Sequence, residues 1–187
     1  MNNGEFDESI PQADQRPLGS GLGNDDRGHP CFDNQRTEIG EATYQLKYQK
    51  DWNQVGPLAQ AVATNVFPRL DQVGFVVPMP ASNIRQRQPV TEVALALGRI
   101  IGRPVFSDLL RKAATGKSLK DLHSKAEKVA AIGNSFSIND EITTDGRWNV
   151  LVVDDLFDSG ASMDAACAVL RKYPKVGKIY VAALTWK

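Results

Sequence analysis

The sequence predicts an α/β fold with a mainly parallel sheet flanked by helices. Three apolar runs are short, continuous and rich in β-branched residues, as buried parallel strands are, and they lie at 73–77, 149–153 and 178–185. Amphipathic helices are predicted around them, at 54–67, 90–101 and 161–172. Because the strands alternate with helices, the α/β class follows.

Each predicted element has a local reason. In the first periodic segment Ile39, Ala42, Leu46 and Tyr48 could face a core from a helix or an irregular turn. Pro78 closes the first apolar run. A proline near the start and a glycine after the end bound the second of the three helices.

The segment before the second main strand is more polar. A short strand is expected at Val105–Phe106, and residues 111–120 predict a mobile basic loop because they lack an apolar period. A polar helix over 121–131 and a strand at 134–138 are expected next, followed by a polar connection over 139–148.

Length and composition fit one globular domain. The chain has 187 residues, 42% hydrophobic and 24% charged, and a chain of this size buries about 70% of its surface on folding. No stretch approaches ~18 consecutive apolar residues, so no membrane span is expected. We expect a single domain over 29–187. It is preceded by a disordered, acidic, glycine-rich tail over 1–28, which shows no helical or strand period.

Charge is balanced overall but uneven along the chain. The 22 basic and 22 acidic residues exclude a global charge that would attract polyanions. Residues 1–30 carry six acids and two bases, whereas 85–128 carry ten bases and four acids. The tail could bind a partner or be a solvated leader, and the basic segment could be an anion site or a solvated face. No aromatic residue lies between 107 and 128 to support nucleic-acid binding there.

Cysteine and histidine usage predicts a reducing compartment and no structural zinc. Cys31 and Cys167 are far apart in sequence, and Cys167 is expected to be a small core residue. His29 and His123 are expected to be isolated surface histidines. The first residues contain neither the basic nor the apolar region of a secretory signal, so a cytoplasmic location is expected.

The residues that carry chemistry are concentrated at 150–162. A buried strand is expected to end at Val153, two carboxylates follow at Asp154 and Asp155, and a turn over 158–162 leads into a helix. Ligands of open parallel sheets bind beyond the carboxyl ends of the strands, and a helix N-terminus offers N–H groups to a phosphate. The acids suit sugar hydroxyls, a Mg²⁺ shell or a developing positive charge. The pattern therefore predicts a sugar phosphate.

Three other interpretations of this segment fit its residues less well. A purely structural turn needs one capping acid or hydroxyl, not two acids and three polar turn residues. A receiver domain places paired acids after its first strand, whereas only 32 residues follow Asp155 here. A nucleophile elbow needs glycine where Phe157 stands, so Ser159 is not expected to be a hydrolase nucleophile.

The segment resembles the signature of type I phosphoribosyltransferases. That signature is an apolar strand, two acids, two apolar residues and a short Ser/Thr/Gly loop. It reads here as Leu151-Val152-Val153, Asp154-Asp155, Leu156-Phe157 and Asp158-Ser159-Gly160-Ala161-Ser162, with Phe157 where an aliphatic residue is usual. The resemblance implies the type I phosphoribosyltransferase fold with a small N-terminal hood. It also implies transfer of ribose 5-phosphate from phosphoribosyl pyrophosphate, with Mg²⁺ as cofactor.

Other segments over 36–187 are similar in order to the ComF-like, competence-associated group. They are LKYQKDWNQVGPLAQAV, VVPMPASNIRQRQ, LLRKAATGKSLKDL and the FSI that precedes the signature. This group usually has an Arg-Gly-Phe-Asn-like stretch where the chain has Arg85-Gln86-Arg87-Gln88-Pro89, a departure that bears on the pyrophosphate side. The resemblance implies a link to DNA uptake or processing, with a DNA-processing protein as a candidate partner. Many proteins of the type I phosphoribosyltransferase fold class are dimers, so a homodimer is a candidate assembly, and the oligomeric state stays open.

At the matching positions, the resemblance implies a role for each residue. The 5′-phosphate would be held by Asp158, Ser159, Gly160, Ala161 and Ser162. Asp154 and Asp155 would face the ribose hydroxyls, directly or through Mg²⁺, and stabilise an oxocarbenium-like transition state. The pyrophosphate side would comprise Met79, Pro80, Ala81, Ser82, Arg85, Arg87, Lys112 and Lys117, the two lysines lying in a loop that closes over the leaving group.

Asp158 also bears on the acceptor. An Asp where the ComF-like group usually has Thr resembles the hypoxanthine-guanine transferases, in which it assists at the base, so Asp158 is a candidate catalytic residue. Trp186 and Lys187 follow the last strand and would emerge beside the same pocket, where those enzymes use a lysine.

Three functions are consistent with the sequence. The first is an enzyme of nucleotide metabolism that transfers ribose 5-phosphate to a nitrogen nucleophile, such as a nucleobase, with release of pyrophosphate. The second is a non-catalytic sensor of phosphoribosyl pyrophosphate or a nucleotide, linked to DNA uptake or processing. The third is an interaction protein that acts through its acidic tail. A purine, another base, an amine and a nucleic-acid end are all open as acceptors.

Overall fold

A parallel sheet forms the centre of the molecule. The computed structural model describes residues 8–11, 21–24, 30–32, 36–81, 85–113 and 135–186, with side chains from residue 36 onward. The sheet has four strands in the order β1 (Glu8–Pro11), β8 (Val176–Trp186), β7 (Trp148–Phe157) and β4 (Val73–Pro78). Each neighbouring pair is parallel, which confirms the predicted fold class.

Helices cover both faces of this sheet. One face packs against α1 (Glu38–Tyr44), α2 (Val55–Asn65) and α3 (Pro89–Ile101), and the other packs against α4 (Ala161–Arg171). Successive side chains of a strand point to opposite faces, and β7 shows the result. Leu151 and Val153 belong to the core under α2 and α3, whereas Val150 and Val152 belong to the core under α4.

The three predicted helices are confirmed as α2, α3 and α4. Pro89 is the first residue of α3, and Gly102 ends that helix with a φ of 64°. The first periodic segment differs from its prediction, because α1 passes directly into a π-helical turn, Gln45–Gln49, that ends at Lys50 with a φ of 57°. This turn leaves Tyr48 62% exposed, so Tyr48 is not the core residue that the periodicity suggested.

Strand β7 is longer than its apolar run. The sequence predicts an end at Val153, but the strand continues through both acids to Phe157. The cause is pairing with β8, which runs on to Trp186 so that Phe157 has a partner in register. Asp154 and Asp155 therefore lie within a strand, and the pleat separates their side chains.

Two short strands beside α4 form an antiparallel pair, β5 (Leu110–Lys112) and β6 (Phe136–Ile138). The strand predicted at 134–138 corresponds to β6, but Arg111 and Lys112, which were expected in a mobile loop, belong to β5. Leu110 is buried and anchors this strand to the core. The strand expected at 105–106 is reduced to one bridge between Val105 and Val76. The helix expected over 121–131 lies outside the described residues.

The N-terminal segment contains strands that its sequence does not predict. β1 pairs with the edge of β8, and β2 (Gly21–Asn24) pairs with β3 (Pro30–Phe32) in antiparallel orientation. Edge pairing uses backbone groups and needs no apolar period, which explains why it leaves no pattern in the sequence. The other residues of 1–28 lie outside the described residues, and the domain boundary stays a prediction. Within the described ranges, no helix is long and apolar enough to span a membrane.

Candidate functional site

A cavity of about 260 Å³ opens where β4 and β7 end, and we call it the acid cavity. Adjacent parallel strands bring their carboxyl ends to the same edge of a sheet, where ligands of this fold class bind. Asp154 and Asp155 come from β7, and the turn Met79–Ala81 follows β4. The Met79 backbone N–H donates to the Val153 carbonyl oxygen at 2.8 Å, which fixes the turn beside the acids.

Three basic side chains line the acid cavity together with the two acids. They are Lys47 from the π-helical turn, Arg85 from the segment before α3, and Lys112 from β5. They approach from three separate elements, so the cavity has positive charge on several sides. A group of cations around a cavity at this position favours an anionic ligand.

The two acids differ in their basic neighbours. Asp155 Oδ2 lies 2.6 Å from Lys47 Nζ. Asp154 interacts with the charges of both Lys47 and Lys112. Both carboxylates line the acid cavity, but only Asp155 forms a close ion pair with Lys47.

Asp154 has the most strongly perturbed carboxyl group of the site. Burial, followed by the adjacent charge of Asp155, raises the pKa of Asp154 to about 7. The Asp155 backbone N–H, which donates to Asp154 Oδ1 at 2.8 Å, and the charge of Lys47 oppose this rise. A carboxyl group with a pKa near neutrality in a cavity is a feature of functional sites.

Lys112 is half-buried beside the acids. Burial lowers the pKa of its ammonium group, while the negative charge of Asp154 opposes the shift. Its Nζ lies 5.2 Å from the centre of the Phe136 ring on the paired strand β6. The strand pair β5–β6 therefore holds this lysine against the cavity, although the sequence predicts it in a mobile loop.

The turn after β7 contains a glycine in a left-handed conformation. Gly160 has a φ of 78°, and a Cβ at this position would lie 3.0 Å from the Phe157 ring. Gly160 is also the N-cap of α4, and among the described residues no side chain accepts a capping hydrogen bond at this N-terminus. Asp158 and Ser159 are exposed, Ala161 opens the helix, and Ser162 lines the acid cavity.

Only one of the two arginines expected on the pyrophosphate side lines the acid cavity. Arg85 lines the acid cavity, and its Nη1 is 3.4 Å from the Lys47 carbonyl oxygen. Arg87 pairs with Glu92 at 2.9 Å, and its guanidinium lies 4.1 Å from the centre of the Trp52 ring. Arg87 lines a neighbouring cavity of about 570 Å³ together with Arg85, but it is not among the residues that line the acid cavity. Ser82, Lys117 and Lys187 lie outside the described residues.

Trp186 ends β8 opposite Phe157 and is not among the residues that line the acid cavity. A second cavity of about 250 Å³ lies nearer to this end of β8, and we call it the tyrosine cavity. Its walls include two aromatic rings, two cations, one acid and a buried hydroxyl: Tyr44, Tyr48, Arg36, Lys47, Asp155 and Thr185. Thr185 Oγ1 donates to the Asp155 carbonyl oxygen at 2.6 Å.

Lys47 is the site residue that sequence reasoning missed. It lies outside the 150–162 signature, and the periodicity of its segment indicates only which side chains face the core. Its position depends on the π-helical turn, which changes the direction of side chains relative to an α-helix. A single-turn π-helix often marks a functional site, but the sequence contains no pattern that predicts one here.

Comparison with known proteins finds similarity in three-dimensional structure but none in sequence. No protein-family profile matches the chain, and no curated protein matches it in sequence. Adenine phosphoribosyltransferase from Saccharomyces cerevisiae is 13% identical with a TM-score of 0.47, over 90% of this chain and 83% of that one. Adenine phosphoribosyltransferase from Thermoanaerobacter pseudethanolicus is 15% identical with a TM-score of 0.43, over 91% of this chain and 96% of that one.

A third similar structure is the UMP synthase of Leishmania donovani. It is 12% identical with a TM-score of 0.43, over 91% of this chain and 33% of the synthase. Likeness at these levels carries no information about activity, so the functional argument depends on the residues of the site.

Proposed function

We propose that the chain is a phosphoribosyltransferase. It binds phosphoribosyl pyrophosphate and transfers ribose 5-phosphate to a nitrogen nucleophile with release of pyrophosphate. The observation that carries the proposal is the meeting of paired acids, three basic side chains and a glycine turn at the ends of two adjacent parallel strands. Together they suit a phosphorylated sugar with a second anionic group: the acids suit the sugar, and the turn and the basic side chains suit the two anionic groups.

The turn and the basic side chains would bind the donor. The 5′-phosphate is assigned to residues 158–162, because Gly160 lets the backbone approach and the start of α4 offers N–H groups. The pyrophosphate is assigned to Arg85, Lys112 and the Met79–Ala81 turn, which lie on the other sides of the same cavity. Ser82 and Lys117 complete the pyrophosphate side that the sequence resemblance implies. Arg87, which the resemblance also assigns there, is instead paired with Glu92 and does not line the acid cavity.

Asp154 and Asp155 are assigned to the ribose. In the transfer the lone pair of the attacking nitrogen forms a bond to ribose C1, and the C1–oxygen bond breaks with its electron pair going to pyrophosphate. Positive charge develops on the ring meanwhile, and carboxylates next to it stabilise the transition state. The sequence resemblance assigns any proton on the attacking nitrogen to the carboxylate of Asp158, which is exposed and is not among the residues that line either cavity.

The carboxylate oxygens of the acid cavity are suitable ligands for Mg²⁺. Asp154 and Asp155 supply the oxygen ligands that this ion prefers, and it commonly binds one or two carboxylates together with substrate phosphates and water. Among the described residues, no group of three acidic, histidine or cysteine side chains could hold a metal ion. Asp154 and Asp155 would hold the ion with oxygens of the donor, and the ion would neutralise charge on the leaving group.

Four further parts of the proposal come from the sequence. The resemblance supports membership of the ComF-like group, a DNA-processing partner and a homodimer. The composition of the first residues supports a cytoplasmic location. Trp186 and Lys187 are proposed to lie on the base side of the pocket. The single domain is proposed to span 29–187.

A pyrophosphate-release assay tests the proposal. Wild-type protein is incubated with phosphoribosyl pyrophosphate, Mg²⁺ and a panel of nucleobases and amines, and released pyrophosphate is measured. We expect release with at least one acceptor, and at least about a tenfold loss in Asp155→Asn. Asp71→Asn is the control, since this exposed acid lies away from the cavity. Donor binding without release from any acceptor would contradict catalysis and favour the sensor.

A further inference from the structure

We propose that the tyrosine cavity binds the acceptor, and that the acceptor is a planar nitrogen heterocycle carrying a negatively charged group. The inference rests on the proposed function, because it names the second substrate of the same reaction. The resemblance leaves the acceptor open among purines, other bases, amines and nucleic-acid ends. The walls of this cavity narrow that choice.

The first step is position. The acid and tyrosine cavities share Lys47 and Asp155, so the ion pair between these side chains is a common wall. A donor whose ribose lies over Asp155 would have its reacting carbon next to the tyrosine cavity. A second reactant must be within contact distance of that carbon, and this cavity satisfies the requirement.

The second step is shape. The rings of Tyr44 and Tyr48 lie with their centres 5.2 Å apart and their planes at 36°. Tyr48 is 62% exposed, and it is one of two large hydrophobic side chains so exposed among the described residues. An exposed tyrosine at a cavity mouth offers a flat apolar surface with a polar end, which suits a small ring. The volume of about 250 Å³ is large enough for a single small heterocycle.

The third step is charge. The tyrosine cavity has two cations, Arg36 and Lys47, and Asp155 is the single acid among the described residues that line it. Lys47 is paired with Asp155, which leaves the charge of Arg36 in excess in the wall. Arg36 Nη1 is 3.1 Å from Glu41, which does not line the cavity, and the Arg36 guanidinium lies 3.9 Å from the centre of the Tyr44 ring.

The geometry of Arg36 suits a carboxylate on a ring that lies beside Tyr44. A guanidinium carries five N–H donors, so a group that bonds Glu41 through one nitrogen can also bond a second anion. The guanidinium carbon already lies over the Tyr44 ring, which holds the group at the wall of the cavity beside a bound ring. An acceptor with one negative charge would therefore match both the ring surface and the excess charge.

Matched pairs of acceptors test this inference. Pyrophosphate release from phosphoribosyl pyrophosphate is measured with two pairs of acceptors, nicotinate against nicotinamide and orotate against uracil. The members of each pair share a ring and differ in charge. Adenine is measured as a further neutral acceptor. We expect at least one charged member to react about tenfold or more faster than its neutral partner, because a charge-assisted hydrogen bond is lost in the neutral one. A preference for neutral acceptors would overturn the inference.

Two substitutions tie the preference to the cavity. Arg36→Gln is expected to raise KM for the charged acceptor about tenfold while KM for phosphoribosyl pyrophosphate stays within twofold. Tyr48→Ala is expected to raise KM for the same acceptor several-fold, and Tyr48→Phe to restore it. Ile100→Ala, which shortens the other large exposed hydrophobic side chain, is the control. Unchanged acceptor KM in both cavity variants would overturn the assignment.

Failure of the inference can be distinguished from failure of the proposed function. Calorimetric binding of phosphoribosyl pyrophosphate with Mg²⁺ depends on the acid cavity and not on the acceptor. If the donor binds and no charged heterocycle reacts, the acceptor assignment is wrong and the donor site stands. If the donor does not bind to folded protein, both fail.

Discussion

Lys47 Nζ lies 2.6 Å from Asp155 Oδ2, and this ion pair links the turn after α1 to the carboxyl end of β7. The two side chains are 28% and 18% exposed, so water screens the pair only in part. The adjacent Asp154 has a pKa of about 7. The site thus combines one carboxylate paired with a cation and one that titrates near neutral pH, from two consecutive residues of one strand.

Removal of the cation from this pair should destabilise the protein. Lys47→Met leaves the partly buried Asp155 carboxylate without its partner, and we expect a loss of about 1–3 kcal/mol in the free energy of unfolding. Urea denaturation measures the change. Lys178→Met is the matched control, because its pair with Asp71 is 3.5 Å long, is more than half exposed on both sides and should contribute little. Equal losses in both variants would contradict a special role for Lys47.

Asp154 should make stability depend on pH in a definite direction. Its folded-state pKa of about 7 is above the ordinary value of 3.8, so between these values the folded protein holds a proton that the unfolded chain has lost. Stability should therefore fall as pH rises from about 4 to 7, and the loss should be constant at higher pH. Asp154→Asn removes this loss, and at pH 8 we expect the variant to be more stable by about 2–4 kcal/mol.

Urea denaturation of both proteins at pH 4, 5.5 and 8 measures this effect. The quantity of interest is the difference in unfolding free energy between variant and wild type, because other titrating groups cancel in it. The account predicts a difference that grows with pH up to about 7. A difference that is the same at all three values would contradict the raised pKa of Asp154.

A side chain at Gly160 should affect both stability and donor binding. Gly160→Ala places a Cβ at a φ of 78° and 3.0 Å from the Phe157 ring, so we expect a loss of about 1 kcal/mol or more in unfolding free energy. Affinity for phosphoribosyl pyrophosphate should fall as well. Gly56→Ala is the control, since a Cβ there meets nothing within 4 Å in helix α2 and should be neutral or stabilising. Normal donor affinity in Gly160→Ala would contradict the phosphate assignment.

The two arginines before α3 should differ in effect. Arg85→Gln removes a cation from the wall of the acid cavity, and we expect about a tenfold loss of donor affinity. Arg87→Gln should change it by less than twofold, because Arg87 pairs with Glu92 and lies over Trp52 instead. Calorimetric titration of both variants measures the contrast. A larger effect from Arg87 than from Arg85 would contradict the assignment of the pyrophosphate to Arg85.

The sheet was predictable where burial leaves a pattern. The apolar runs that became β4, β7 and β8 are continuous because side chains on both faces are covered, as in parallel sheets generally. The end of β7 was not predictable from the same pattern. Two acids interrupt the apolar run, and the strand continues only because β8 provides backbone partners as far as Trp186.

The candidate site was predictable in its signature residues and not in the residues that come to meet them. Asp154, Asp155 and Ser162 belong to one short segment of the sequence and line one cavity. Lys47 reaches that cavity from a π-helical turn, and Lys112 from a strand pair whose partner lies beyond residue 134. Both positions depend on tertiary packing, which no periodicity in their own segments records.

The most direct test of the account is calorimetric titration of phosphoribosyl pyrophosphate with Mg²⁺ into three proteins. These are the wild type, the double variant Asp154→Asn/Asp155→Asn and the surface control Asp71→Asn. The account predicts binding to wild type and control, and at least about tenfold weaker binding to the double variant. Equal binding to all three proteins, or none to folded wild type, would contradict a donor site at the paired acids.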